Sequence, residues 1–115
     1  MSRSKYQRQC GNLTGEWVND LGSKLSIKEG EDGRITGTFQ TAVETKPGAG
    51  RGSRPVAGST LDDLVTFYVK FSGSPSIATF LGQCYRRQEG EKLETTWLLS
   101  GNQTRHDHWM ATSNT

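Results

Sequence analysis

An all-β domain, an eight-stranded antiparallel up-and-down barrel, is what this sequence predicts, on three observations. Hydrophobic residues are only 31% of the 115-residue chain while Gly numbers 14, a balance that suits a thin-walled sheet better than a helical bundle. Val, Ile, Thr, Phe, Tyr and Trp recur in short clusters bounded by turn residues. No segment keeps a helical period, and a chain of this length forms one domain without room for a second core.

The first strand is read over Gly15–Asn19. Trp17 and Asn19 are two apart, so on an extended strand they project to the same face. That face carries a large ring beside a side-chain amide. Read blandly, Asn19 is instead a turn residue ahead of Asp20–Leu21–Gly22. Asp20–Ser23 turns the chain into a strand at Lys24–Lys28, and Glu31–Asp32–Gly33 turns it again, Asp-Gly being a strong hairpin signal. Arg34–Val43 places Ile35, Gly37, Phe39 and Thr41 on one face. The segment Glu44–Thr60, rich in Gly, Pro and Arg, is mostly loop with a short strand near Arg54–Ser59.

Leu64–Phe71 sets Val65, Phe67, Val69 and Phe71 against Thr66, Tyr68 and Lys70, the alternation of a half-buried strand. Ser72–Ser76 is a loop, Ile77–Arg86 a strand, Gln88–Glu89–Gly90 a turn and Lys92–Leu99 a strand. A last strand is expected to start near Trp109 and to be cut short at Thr115. Eight such strands lose their edges by closing into a barrel just wide enough for one small ligand.

Charge and cysteine usage narrow the function. Lys and Arg total 14 against 12 acids, a net charge of +2. The bases are scattered, the nearest to a cluster being Arg51, Arg54, Arg86 and Arg87, with no aromatics interleaved on a common face, so a nucleic-acid partner is not indicated. No apolar stretch reaches the length of a membrane-spanning helix. Cys10 and Cys84 lack the spacing of a zinc site or a CxxC redox motif. In a secreted protein such a pair reads as one disulfide closing most of the chain, worth about 4 kcal/mol in the loop-entropy account. Asn12–Leu13–Thr14 and Asn102–Gln103–Thr104 fit the N-glycosylation pattern and agree with secretion. Residues 1–9 are set aside as a processed or engineered tail, leaving 10–115 as the barrel domain. His106 and His108 could share a metal on one strand face, but no third ligand is near and the segment reads as loop, so no metal is expected.

The expected interior is unlike a plain core. It holds Trp17, Phe39, Phe71, Phe80 and Trp97, but also Asn19, Ser23, Thr41 and Ser76. Rings supply apolar area and a few polar groups fix orientation, which is the make-up of a pocket for a compact, partly polar ligand. Phe67, Val69 and Ile35 are ordinary barrel filling.

Five motifs in order, CGNLTGEWVNDLGS, GTFQTAV, FLGQC, TTWLLS and WMAT, make the chain resemble the avidin and streptavidin family of biotin-binding proteins from Cys10 to about Thr112. Their order and spacing match vertebrate avidins, with the main differences in the Glu44–Thr60 loop. The resemblance implies a non-enzymatic, secreted, tetrameric biotin-binding barrel that sequesters the vitamin, needs no cofactor and pairs Cys10 with Cys84.

Its ligand set, carried over, runs as follows. Asn19 and Ser23, with Leu21 between them, stand where two side chains donate to the ureido oxygen. The third such donor, usually a Tyr, is here Phe39. Thr41 matches the hydroxyl that accepts from a ureido nitrogen; the acceptor for the other nitrogen falls beyond Thr115. Ala78 replaces a Thr at the ligand sulfur, with neighbouring Thr79 leaving that alignment open. Phe71 stands where Trp is usual, Phe80 at another ring position, and Trp97 and Leu99 match directly. Ser74, Ser76 and the backbone of Val43, Glu44 and Thr45 lie at the carboxylate end, and Trp109 matches the residue that reaches into a neighbour's pocket. Because of the Phe39 and Ala78 departures, biotin binding weaker than in the tightest avidins is expected. The alternative is an avidin-fold structural or interaction module with a degraded pocket. A lipocalin-like carrier of larger apolar ligands is disfavoured by Asn19, Ser23 and Thr41.

Overall fold

Two-residue alternation of apolar and polar side chains carries through into the sheet. A computed structural model of the chain describes residues 8–19, 22–41, 53–71, 75–101 and 105–113, the last span by its backbone except at Thr112. The strands are β1 (Gly15–Val18), β2 (Lys24–Glu29), β3 (Arg34–Gln40), β4 (Arg54–Leu61), β5 (Leu64–Phe71), β6 (Ser76–Arg87), β7 (Gly90–Ser100) and β8 (Arg105–Ser113). Each pairs antiparallel with the next, and β8 returns to β1 at Trp17↔Ser113 and Val18↔Thr112, closing the barrel. On β2, Leu25, Ile27 and Glu29 are buried between exposed Lys24, Ser26 and Lys28. On β5, Val65, Phe67 and Val69 are buried while Leu64, Tyr68 and Lys70 face out.

Three boundaries differ from the sequence expectation. β3 stops at Gln40. β4 is a complete strand to Leu61, although Ala57–Thr60 have little β-forming character, because β3 and β5 both present backbone groups that need partners on this strand. Pro55 near its start is compatible with that role. β8 begins at Arg105, not near Trp109: β7 continues to Ser100, and its ladder runs from Leu99↔Arg105 to Lys92↔Thr112. His106–Asp107–His108 therefore belongs to a strand, since pairing of this kind is a backbone matter that polar residues satisfy as well as apolar ones. The two histidine side chains lie outside the described ones.

Glycine permits two features of this wall. Gly33 turns β2 into β3 at φ 83°, a left-handed conformation that glycine adopts without steric cost. At Gly82 an added Cβ would sit 1.9 Å from the Glu94 carbonyl oxygen, so β7 approaches β6 this closely only because no side chain is present.

Up-and-down order sends the β1–β2, β3–β4, β5–β6 and β7–β8 connections to one end of the barrel. The chain's N-terminal segment closes the other end. Cys10 and Cys84 form a disulfide with Cα atoms 6.1 Å apart, spanning 74 residues. Arg8 and Gln9, set aside in the sequence reading, make specific contacts here. The Arg8 guanidinium lies 2.9 Å from Glu29 Oε1 and 3.7 Å from Asp63 Oδ1, and the two carboxylates are 4% and 0% exposed. Leu13 N and Thr60 Oγ1 each donate to Glu29 at 2.8 Å. Gln9 N and Cys10 N donate to Asp63. Every carboxylate oxygen in this plug thus has a donor, as buried charge requires.

Burial pushes the Glu29 carboxyl up, but the hydrogen bond from Leu13, those from Arg8 and Thr60, and the Arg8 charge outweigh it and hold it below the usual range. A carboxyl lowered on folding stabilises the folded state above its ordinary value of about 4.3 and loses that contribution as pH falls through the folded-state value. Glu29→Gln is expected to cost roughly 2–4 kcal/mol at neutral pH and to flatten the acid limb of stability. Urea denaturation of both proteins across pH 3–7, on the order of one unit per step, checks it; an acid limb of unchanged steepness would remove Glu29 from this role.

Candidate ligand-binding site

At the other end the inner face is aromatic, with small polar groups and the Arg54 guanidinium among the rings. Trp17 is 2% exposed, and its Nε1 donates to the Leu13 carbonyl at 3.0 Å, so the indole is both packed and hydrogen-bonded. Asn19 takes the turn part foreseen for it. Its Oδ1 accepts from Ser23 N at 2.9 Å, while its backbone N donates to Ser23 O at 3.1 Å and its carbonyl accepts from Gly22 N at 3.0 Å. The amide is therefore locked as part of the turn. Ser23 is buried and Thr41 half-buried, one step beyond the Lys24↔Gln40 pair on adjacent strands.

The rings form one wall. Phe80 stacks on Phe67 with centroids 4.6 Å apart and planes at 14°, and meets Phe39 at 5.9 Å and 48°. Phe67, expected to be plain filling, thus buttresses Phe80. Trp97 pairs in register with Phe80, and Leu99 with Ala78. Phe71, Trp97 and Leu99 are partly buried and pack against the core. Ser76 is half-buried opposite Phe71. Register also decides the position left open between Ala78 and Thr79: Ala78 is buried on the inner face, and Thr79 is exposed on the outer one.

Arg54, noted in the sequence only as a scattered base, lies opposite Phe39 with its guanidinium carbon 4.9 Å from the Phe71 ring centroid. Its signal was available: it is two before Val56 on a strand whose inner positions alternate. Leu21, Val43, Glu44, Thr45 and Ser74 fall outside the described residues. Trp109 lies within β8 opposite Thr95, its side chain outside the described ones. Asn12 is exposed, with Oδ1 accepting from Thr14 N and Nδ2 donating to the Glu29 carbonyl; Asn102 is outside the described residues.

Among the described residues, no three His, Cys, Asp or Glu side chains group as metal ligands do. The buried carboxylates Glu29 and Asp63 belong to the plug formed by the N-terminal segment. What this end offers is contact area, hydroxyls, an amide and one guanidinium, a set suited to holding a ligand.

The sequence profile of the avidin family matches residues 7–115. The chain belongs to the avidin family. Avidin of Gallus gallus is 37% identical over 113 residues, taking in 91% of this chain and 74% of avidin. Avidin-related protein 4/5 of the same species is 38% identical over 120 residues, 91% of this chain and 73% of its own length. Among solved structures, xenavidin superposes with a TM-score of 0.75 at 32% identity, covering 89% of this chain and 96% of xenavidin. The biotin binding protein from chicken gives 0.73 at 30% identity over 92% and 99%. Proteins of the avidin family are binding proteins, not enzymes.

The Trp17 indole ties the site wall to the segment that closes the far end. Trp17→Phe leaves the Leu13 carbonyl without this donor and opens a void, an expected loss of about 2–3 kcal/mol, read as a lower chemical-denaturation midpoint.

Proposed function

We propose that this avidin-family protein binds biotin between the β1–β2 turn and the aromatic wall. One observation carries the reading: Asn19 and buried Ser23 are locked together beside Trp17 and the Phe39–Phe80–Phe67 stack, so polar anchors and apolar wall stand ready before any ligand arrives. With Asn19 Oδ1 engaged by the turn, the amide serves a ureido oxygen through Nδ2, alongside the Ser23 hydroxyl. Thr41 accepts from a ureido nitrogen. Phe80, Trp97, Phe71 and Leu99 enclose the ring system, and Ser76 lies toward the loop end. Leu21, Val43, Glu44, Thr45, Ser74 and Trp109 enter on the family resemblance. A preformed, largely dry pocket leaves little ordering cost on binding.

Affinity below that of the tightest avidins is part of the proposal. Phe39 keeps the ring but has no donor, and Ala78 on the inner face has no hydroxyl. These two positions also favour the second reading, a barrel retained for interaction with a degraded pocket. The disulfide supports secretion, since such bonds persist in oxidising compartments.

Self-association into the family's tetramer is proposed through the outer face of β5–β7. Tyr68, Ile77, Leu81 and Leu98 are all exposed there, with Tyr68, Thr79 and Leu98 in one row across three strands and Thr66, Leu81 and Thr96 in the next. A contiguous apolar face of this kind marks an interface.

Calorimetric titration with biotin is expected to show one site per chain. No heat, together with no displacement of a biotin-competitive dye, would replace the proposal with the degraded-pocket reading. Phe39→Tyr supplies the missing donor and is expected to slow biotin dissociation by roughly fivefold or more, the value of one hydrogen bond; an unchanged rate would mean the ureido oxygen is not there. Leu81, 67% exposed, tests assembly: Leu81→Lys is expected to shift light-scattering mass toward smaller species.

A further inference from the structure

Resting on the biotin reading, we propose that Arg54 is a specificity-determining residue that reads the ligand's anionic tail, so that the protein takes the free acid in preference to ester- or amide-capped forms. Biotin joins an uncharged bicyclic ring system to a flexible chain ending in a carboxylate. The uncharged end matches the dry interior, and a carboxylate is costly to bury without a charged or hydrogen-bonding partner. The charged end therefore stays at the end of the barrel opposite the plug formed by the N-terminal segment.

Arg54 is the charged member of the described side chains on the inner face at that end. Register sets it opposite Phe39 on β3, and its guanidinium lies over the Phe71 ring of β5 at 4.9 Å from the centroid. It is half-buried. Stacking on a ring holds the guanidinium plane and limits the rotamer freedom that a ligand would otherwise have to remove. A planar fork of donors matches a carboxylate in two-pronged fashion, which an ammonium cannot do. Among the described side chains, the bases Lys24 and Lys70 near this end occupy exposed positions on the outer face. Phe39 and Phe71, which flank Arg54, are themselves wall residues of the proposed site, so a tail leaving the wall passes the guanidinium.

The test compares three probes on the full chain: biotin, its methyl ester and its primary amide, by competition calorimetry. The unmodified protein is expected to bind biotin roughly three- to tenfold tighter than either capped probe, as a partly exposed charge-assisted pair allows, and added salt should narrow the ratio. Arg54→Gln is expected to bring the ratio to one, and Arg54→Lys to keep part of the preference. A ratio near one in the unmodified protein, or a ratio that Arg54→Gln does not alter, overturns this inference and leaves the biotin reading standing. Failure of all three probes to bind overturns both. Should Arg54→Gln fail to fold by its thermal transition, the ratio and its salt dependence in Arg54→Lys and the unmodified protein decide the matter.

Discussion

A single sheet with no helix covering it among the described residues must close on itself, and that closure is the constraint from which the rest of this structure follows. Each backbone N–H and C=O along the strands finds its partner only if every strand has two neighbours. β8 therefore pairs with both β7 and β1, and β4 extends through residues that would not form a strand by themselves. Closure also forces one face of each strand inward, which is why Leu25, Ile35, Val65, Phe67, Val69 and Leu93 are all almost wholly buried.

Closing a sheet leaves two open ends, and this chain treats them by opposite chemistry. One is stoppered by the N-terminal segment, held by the disulfide and by carboxylates that accept hydrogen bonds from its backbone. Arg8 neutralises both acids at once. Arg86 extends the attachment, its N and Nε donating to Gln9 while its guanidinium pairs with Glu91 at 2.8 Å. At the other end the polar groups are chiefly hydroxyls and an amide beside rings, groups that can exchange a partner without stranding a buried charge. One end is therefore closed by paired charge, and the other is lined by uncharged polar groups and rings with Arg54 among them.

Rigidity links the two. The Trp17 indole reaches from the site wall to Leu13, which itself donates its backbone N–H to Glu29. Hydrogen bonds run from the Arg8–Glu29 pair through Leu13 to the Trp17 indole, and Asn19 follows Trp17 by two residues, so the strand that leads into the β1–β2 turn is fastened to the far end of the barrel.

Alternation in Leu64–Phe71 and Lys24–Lys28 was enough to place those strands and their inner faces, because burial on one face imposes a period of two. The Asp32–Gly33 turn and the motifs of the avidin family were equally plain. Local pattern placed β4 only as a short strand near Arg54–Ser59 and missed its extension to Leu61 and the start of β8, since their pairing answers unmet backbone groups on neighbouring strands. Nor could it choose between Ala78 and Thr79, a choice that depends on register. Nothing local in the sequence marks Arg8, Glu29 and Asp63 as partners; only the fold brings residues 8, 29 and 63 together and excludes water from the two carboxylates. Arg54 became part of the site in the same way, when strand pairing set it between Phe39 and Phe71. Period and turn chemistry are written in neighbouring residues, whereas register, burial of charge and contacts across the barrel exist only once the sheet has closed.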